Sequence, residues 1–225
     1  VAEGRAVLYG FWLSSCSWRV RAALQLKSIP FEERSVDIVR DREQQTDQYR
    51  QVNPAQKVPA LNIDGVTLVE SMAIIQYLED TRPEPSLLPN TPLLRARMRE
   101  IVETVVSGIQ PLQNYGLKQH FDTEQQYLKF TQYWAARGLV TLEALLEKSA
   151  GRYCVGDQLT LADICLLPQL YNSVTRYLDI SKYPVISKIY DTLLKEKLFE
   201  ESHPKTVLTL KRDAQLWSTS TYENS

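Results

Sequence analysis

Residues 58–78 read VPALNIDGVTLVESMAIIQYL, and this stretch decides the architecture. Val58–Ile63 and Val66–Val69 are strand-like runs joined by Asp64-Gly65, a pair suited to the type I′ turn of a two-residue hairpin. Ser71 then opens a helical pattern through Ile74, Ile75, Tyr77 and Leu78, and as a serine it is the expected N-cap. Toward the N-terminus, Ala6–Phe11 (AVLYGF) is a short apolar strand. Ser14, Ser15 and Ser17 follow, then a helix bearing Val20, Ala22, Ala23, Leu24 and Leu26; strand-like composition resumes at Phe31–Val36, and Arg42–Val52 tolerates helix. The predicted order over residues 1–82 is β-α-β-α-β-β-α, a two-layer α/β unit with a right-handed crossover.

In the other direction, Pro83, Pro85, Pro89 and Pro92 make residues 83–92 a linker that no regular element crosses. Residues 93–206 read as all-helical, beginning with Thr91 as N-cap and Pro92 at the first helical position. Phe130, Trp134, Leu142 and Leu145 are expected on one helix face, with Gly138 leaving room for a close backbone approach. Thr160-x-x-Asp163 is a capping box, and Pro168 is expected to kink the helix that follows. Past His203-Pro204 the composition turns polar, so residues 207–225 read as a flexible tail.

Composition removes several classes of function. At roughly 150 residues per domain, a chain of 225 is one large unit or two small ones, each able to bury a core. Hydrophobic residues at 44% and charged residues at 24% exclude wholesale disorder. Lys+Arg 26 against Asp+Glu 27, with 10 basic and 11 acidic residues in 1–82, leaves no basic excess for phosphate-driven nucleic-acid binding. Two histidines, His120 and His203, and three cysteines, Cys16, Cys154 and Cys165, lack zinc-site spacing, so no metal is expected. No G-x-G-x-x-G or G-x-x-x-x-G-K cradle occurs. An odd cysteine count, no sequon, no apolar leader at Val1–Arg5 and no 18-residue apolar run give the expectation of a cytoplasmic protein without a membrane partner.

Three features could carry chemistry. Ser14-Ser15-Cys16-Ser17-Trp18-Arg19-Val20-Arg21 sits at a strand-to-helix junction, where free amides and the helix dipole favour an anion such as a thiolate. The same serines serve equally as caps, with Cys16 as a small interior residue. Val58-Pro59 precedes a strand, and a cis proline there would present the Val58 N–H and C=O to a peptide-like ligand. Glu70-Ser71 could meet an ammonium and a carboxylate, or be a plain helix start. Together they match one molecule with a thiol, peptide bonds and an amino-acid end: glutathione.

The motif SSCSWRVR resembles the signature of the zeta class of glutathione transferases, the class that includes maleylacetoacetate isomerase. NPAQKVPAL, DGVTLVESMAIIQYLE, RPEPSLLP, SGIQPLQN, YCVGDQLTLADICLLPQ and SHP extend the resemblance from Val7 to Pro204. It implies an α/β thioredoxin-like N-terminal domain plus an all-α C-terminal domain, the glutathione transferase architecture, assembled as a homodimer. It also implies glutathione as cofactor and a small electrophilic substrate. Ser14 would hydrogen-bond the thiolate, with Ser15 and Cys16 beside it as catalytic candidates and Ser17, Trp18 and Arg19 completing the segment. Gln45 would contact the glycyl end; Val58, ahead of Pro59, would pair with the cysteinyl backbone, with Lys57 also in the glutathione-binding set; and Glu70 and Ser71 would hold the γ-glutamyl group. Gln110 and Asn114 would approach from the helical domain, and Arg19 and Arg176 would bind substrate carboxylate.

Two positions depart from the class. The arginine usual before the serine pair is Leu13 here, and the arginine usual late in the sixth helix falls on Thr175, with Arg176 one place on. One residue turns a side chain by about 100° around a helix. Three readings follow: an isomerase that adds and then releases thiolate at the cis double bond of maleylacetoacetate; a detoxifying transferase conjugating or dehalogenating electrophiles; and a non-enzymatic binding module.

Overall fold

A computed structural model of the chain describes residues 5–210. The chain divides into two compact units: one runs to Pro85 and takes the chain back from Lys197, and the other spans Ser86–Glu196.

The first unit is built on strands β1 (Ala6–Gly10), β2 (Phe31–Ser35), β3 (Ala60–Ile63) and β4 (Val66–Val69) in the order β2-β1-β3-β4. β1 pairs with β2 in parallel, Leu8 facing Glu33, and with β3 antiparallel, Leu8 facing Leu61. The parallel pair needs a crossover, and helix α1 (Ser15–Leu26) supplies it. Helix α2 (Asp47–Val52) leads into β3, and α3 (Ser71–Thr81) closes the unit by packing on α1. Leu8, Val20, Ala22, Leu24, Leu61, Ile74, Ile75 and Leu78 are fully buried. The β3–β4 turn is the expected hairpin: Asp64 and Gly65 have φ of 53° and 79°, the double positive that type I′ requires.

The second unit is helical: α4 (Pro92–Glu103), α5 (Glu124–Ser149), α6 (Leu161–Val174) and α7 (Pro184–Leu193). The Thr91 hydroxyl accepts from Leu94 N with Pro92 behind it, and Thr160 and Asp163 form the expected reciprocal box. α4 passes through a π-helical turn (Thr104–Ile109) into a 3-10 turn (Gln110–Gln113), and then, after Asn114, a second (Tyr115–His120). Such π turns gather at functional sites. Pro168 lies inside a continuous α6. No helix among the described residues is long and apolar enough to cross a membrane.

Three expectations change. The buried stripe of α5 is Tyr127, Thr131, Ala135, Leu139, Leu142 and Leu146, whereas Phe130, Trp134 and Leu145 are half-buried. That face mixes Thr131 and Ala135 with a tyrosine and three leucines, and Phe121, Phe130 and Trp134 form an aromatic row beside it. The helical stretch read as 93–206 loses its end: α8 (Lys197–Glu201) and α9 (Pro204–Leu210) belong to the first unit, where α8 packs on α1. The tail read from residue 207 is helical to Leu210, and its remainder, 211–225, lies outside the described residues.

Candidate functional site

The β1–α1 turn is made by serines with separate tasks. Ser14 is the N-cap of α1, and its Oγ accepts from Ser17 N at 3.2 Å. Its own O–H is thereby left to donate outward, because a hydroxyl carries one donor beside its lone pairs. Ser15 is buried and Cys16 half-buried in the first turn of the helix, where free amides point forward. Ser17 Oγ instead faces inward and accepts from Phe11 N at 3.3 Å. Trp18 is fully buried, its Nε1 donating to Ser202 Oγ at 2.8 Å. Ser17 and Trp18 therefore support the turn and leave the set of ligand contacts; both are sealed from solvent.

Val58-Pro59 is cis. Among the described residues, the Val58 N–H and C=O have no hydrogen-bond partner, and β3 begins only at Ala60. The loop before it is buckled by two side chains. Asn53 Nδ2 and Tyr49 Oη both donate to the Lys57 carbonyl, at 2.7 and 2.8 Å, and Asn53 Oδ1 accepts from Ala55 N at 2.9 Å. Burial, reinforced by nearby Tyr9, pushes the Tyr49 phenol well above its ordinary value, so it stays a donor. Lys57 is exposed, and so is Gln45, on a 3-10 turn (Glu43–Gln45) ahead of α2.

The third corner differs from its sequence reading. Ser71 is the first residue of α3 and not its cap; the cap position is Glu70, whose side chain bonds no helix amide. Glu70 has φ of 67° and ψ of 117°, left-handed backbone that a glutamate adopts only when its surroundings impose it. Its carboxylate is exposed beside the 5%-exposed Ser71. Ser71 Oγ accepts from Arg19 Nη1 at 3.3 Å, and the same nitrogen lies 3.6 Å from Cys16 Sγ. Arg19 is 1% exposed, with Nε and Nη2 unpaired among the described residues. Sealed in this way, it cannot grip a substrate carboxylate directly, as its sequence position suggested.

In the second unit, Gln110 is half-buried on its 3-10 turn. Asn114 Oδ1 caps the next turn by accepting from Gly116 N at 2.9 Å. Arg176 is exposed beyond the last turn of α6, whose C-cap is Thr175. The donor set of the first unit fits glutathione: a free hydroxyl proton at a helix start for sulfur, an unpaired peptide edge at Val58, and Glu70 and Ser71 for an amino-acid end.

Residues 8–86 match the family model "Glutathione S-transferase, N-terminal domain", and residues 135–192 match "Glutathione S-transferase, C-terminal domain". The chain is 48% identical over 204 residues to "Probable maleylacetoacetate isomerase 1" of Drosophila melanogaster, covering 90% of this chain and 82% of that one. The chain belongs to the glutathione S-transferase family. Within it the resemblance is to the zeta class. A bacterial maleyl pyruvate isomerase of that class superposes with a TM-score of 0.84 at 33% identity, over 89% of this chain and 97% of its own. A maleylacetoacetate isomerase from Anaeromyxobacter dehalogenans 2CP-1, solved with glutathione and again with dicarboxyethyl glutathione and citrate, gives a TM-score of 0.78 at 37% identity, over 93% and 97%.

Some residues of this transferase carry roles that the motifs do not announce, even where they lie inside them. Tyr49 and Asn53, which hold the loop ahead of Val58, were overlooked, although Asn53-Pro54 is itself a turn signal. Gln113 was overlooked as well. Its Nε2 donates to Ser173 Oγ at 3.4 Å and to Tyr177 Oη, and its Oε1 accepts from Gln169 Nε2, tying the 3-10 turn of Gln110 to α6. No periodicity marks that residue, because its partners come from 56 to 64 positions away.

Proposed function

We propose that the chain is a glutathione-dependent enzyme of the zeta type that isomerises maleylacetoacetate to fumarylacetoacetate. The reading includes a cytoplasmic location, in keeping with three free cysteines, and a homodimer, in keeping with the class. The observation that carries it is Ser14, whose oxygen is committed to Ser17 N so that its proton faces outward from a helix start. Bound glutathione supplies a thiolate nucleophile that is recovered at the end of the reaction. Ser14 donates to that sulfur and favours its anionic form, aided by the α1 amides. Val58 offers an N–H and a C=O to the cysteinyl peptide unit. Glu70 meets the ammonium and Ser71 the carboxylate of the γ-glutamyl end, while Gln45 stands exposed for the glycyl end and Lys57 flanks Val58. Gln110 and Asn114, on the helical unit, stay candidates by the resemblance to the class alone.

The second reading, a transferase acting on halogenated or otherwise electrophilic compounds, is favoured by Leu13 and by the exposed Arg176, which leave fewer cations for a dicarboxylate. One panel separates the two. Purified protein with glutathione is offered maleylacetone, dichloroacetate and chlorodinitrobenzene, alongside Ser14→Ala. Isomerisation of maleylacetone, with kcat lower by about a hundredfold in the variant, is the expected result. Turnover of the chlorinated compounds alone would replace the isomerase by the detoxifying enzyme. Failure to bind a glutathione resin would leave only a binding module.

A further inference from the structure

The side chain that the proposed chemistry has not used is Arg19. It is among the largest fully buried side chains of the protein. An arginine so placed normally has a carboxylate, since a buried unpaired charge is costly. The neighbouring cations do: Arg21 forks onto Glu33 at 2.9 and 3.0 Å, and Lys27 meets Glu79 at 2.6 Å. Arg19 meets only a hydroxyl and a thiol, Ser71 Oγ and Cys16 Sγ, and keeps two nitrogens without partners among the described residues.

The charged groups on the elements packed against α1 leave it so. On α3, Glu79 is taken by Lys27 and Asp80 accepts from Gln76, while Glu70, at the start of that helix, is exposed. On α8, Lys197 pairs with Glu201, and Glu200 is exposed. The guanidinium thus bridges the corner read as the γ-glutamyl end and the corner read as the thiol end, carrying a positive charge that the protein does not neutralise.

We propose that Arg19 is a positioning residue whose uncompensated charge is matched by glutathione itself. This rests on the glutathione reading above. By donating to Ser71 Oγ, Arg19 occupies a lone pair there and turns the Ser71 hydroxyl into a donor toward the incoming carboxylate. Its field in a dry interior favours anions at both corners, the carboxylate and the thiolate. Being sealed, it acts through Ser71 and through the field rather than by touching the ligand.

The test uses Arg19→Met, Arg19→Gln and Arg19→Lys, with S-methylglutathione as a probe that keeps the carboxylates but has no ionisable thiol. Calorimetry is expected to show affinity for the probe falling at least about tenfold in the two neutral variants, the worth of one charge-assisted contact. The ultraviolet thiolate band of bound glutathione should titrate about one pH unit higher in those variants. Arg19→Lys, which keeps the charge and is the mildest change, should titrate as wild type does. A neutral variant that melts normally and keeps both affinity and midpoint would show Arg19 to be purely structural. A midpoint in Arg19→Lys about one pH unit above that of wild type would overturn the role of charge, and this comparison with wild type decides the matter even if the neutral variants do not fold. Wild-type protein that ignores the probe sinks the glutathione reading instead.

Discussion

At the scale of single residues, the strand-to-helix junction shows how neighbours in sequence acquire unrelated tasks. Ser14 caps, Ser17 locks the turn, Trp18 points to Ser202 and Arg19 to Ser71, although all sit within six positions. The cap was legible because serine before an apolar helix has one dominant physical use. The inward turn of Ser17, Trp18 and Arg19 was not, because it depends on partners up to 184 positions away. Leu13 belongs to this scale too. It is half-buried one place before the cap, where the class usually carries arginine. A guanidinium there would add a charge-assisted contact to a substrate carboxylate and none to a neutral chlorinated aromatic. Leu13→Arg is therefore expected to raise kcat/KM for maleylacetone by about tenfold relative to chlorodinitrobenzene. An unchanged ratio would show that selectivity for a carboxylate substrate lies elsewhere.

At the scale of elements, most of the first unit could be read directly, since strand runs and the Asp64-Gly65 turn are local signals, although the cap expected at Ser71 falls on Glu70. The α4-to-3-10 transition could not, because a π turn is imposed by packing. Its last residue, Ile109, explains the glycine noticed in α5. A Cβ on Gly138 would lie 2.3 Å from Ile109 Cγ1 and 2.4 Å from its Cδ1. Two effects compete in Gly138→Ala. Helix propensity favours alanine by about 1 kcal/mol. The clash costs roughly 1–3 kcal/mol, and Ile109 is fully enclosed and stiff at its branched carbon, so it cannot swing aside cheaply. Destabilisation should win, seen as a lower melting temperature. Combining it with Ile109→Ala should leave a double variant more stable than the sum of the single losses, since the clash disappears. Strict additivity would show that the two residues do not compete for space.

At the scale of the whole chain, the least legible feature is the return of α8 and α9 to the first unit, and it yields a pH dependence. The returning segment is held against α1 by polar contacts: Trp18 Nε1 donates to Ser202 Oγ at 2.8 Å and Arg21 Nη1 to the Ser202 carbonyl at 3.1 Å. The Trp18 and His203 rings meet edge-on at 5.3 Å. None of these residues differs in type from ordinary helix residues, so composition alone assigned the segment to the helical unit. His203 Nδ1 accepts from Lys205 N at 3.1 Å, which only an unprotonated nitrogen can do. Burial first, then the charges of Lys205 and Arg21, hold the imidazole below its ordinary value of 6.5. The folded protein thus binds this proton less readily than the unfolded chain. The contribution to stability is complete above pH 6.5 and is lost as pH falls from there through the lower folded value. Lowering the pH from about 7.5 to about 5.5 in a series of thermal melts should therefore reduce the melting temperature of wild type more than that of His203→Gln, which accepts the same N–H without titrating. Proteolysis near Lys197 should accelerate over the same interval in wild type alone, because the acid form gives up its bond to Lys205 and brings a third cation beside Arg21. Parallel pH slopes in the two proteins would place the acid sensitivity outside this contact.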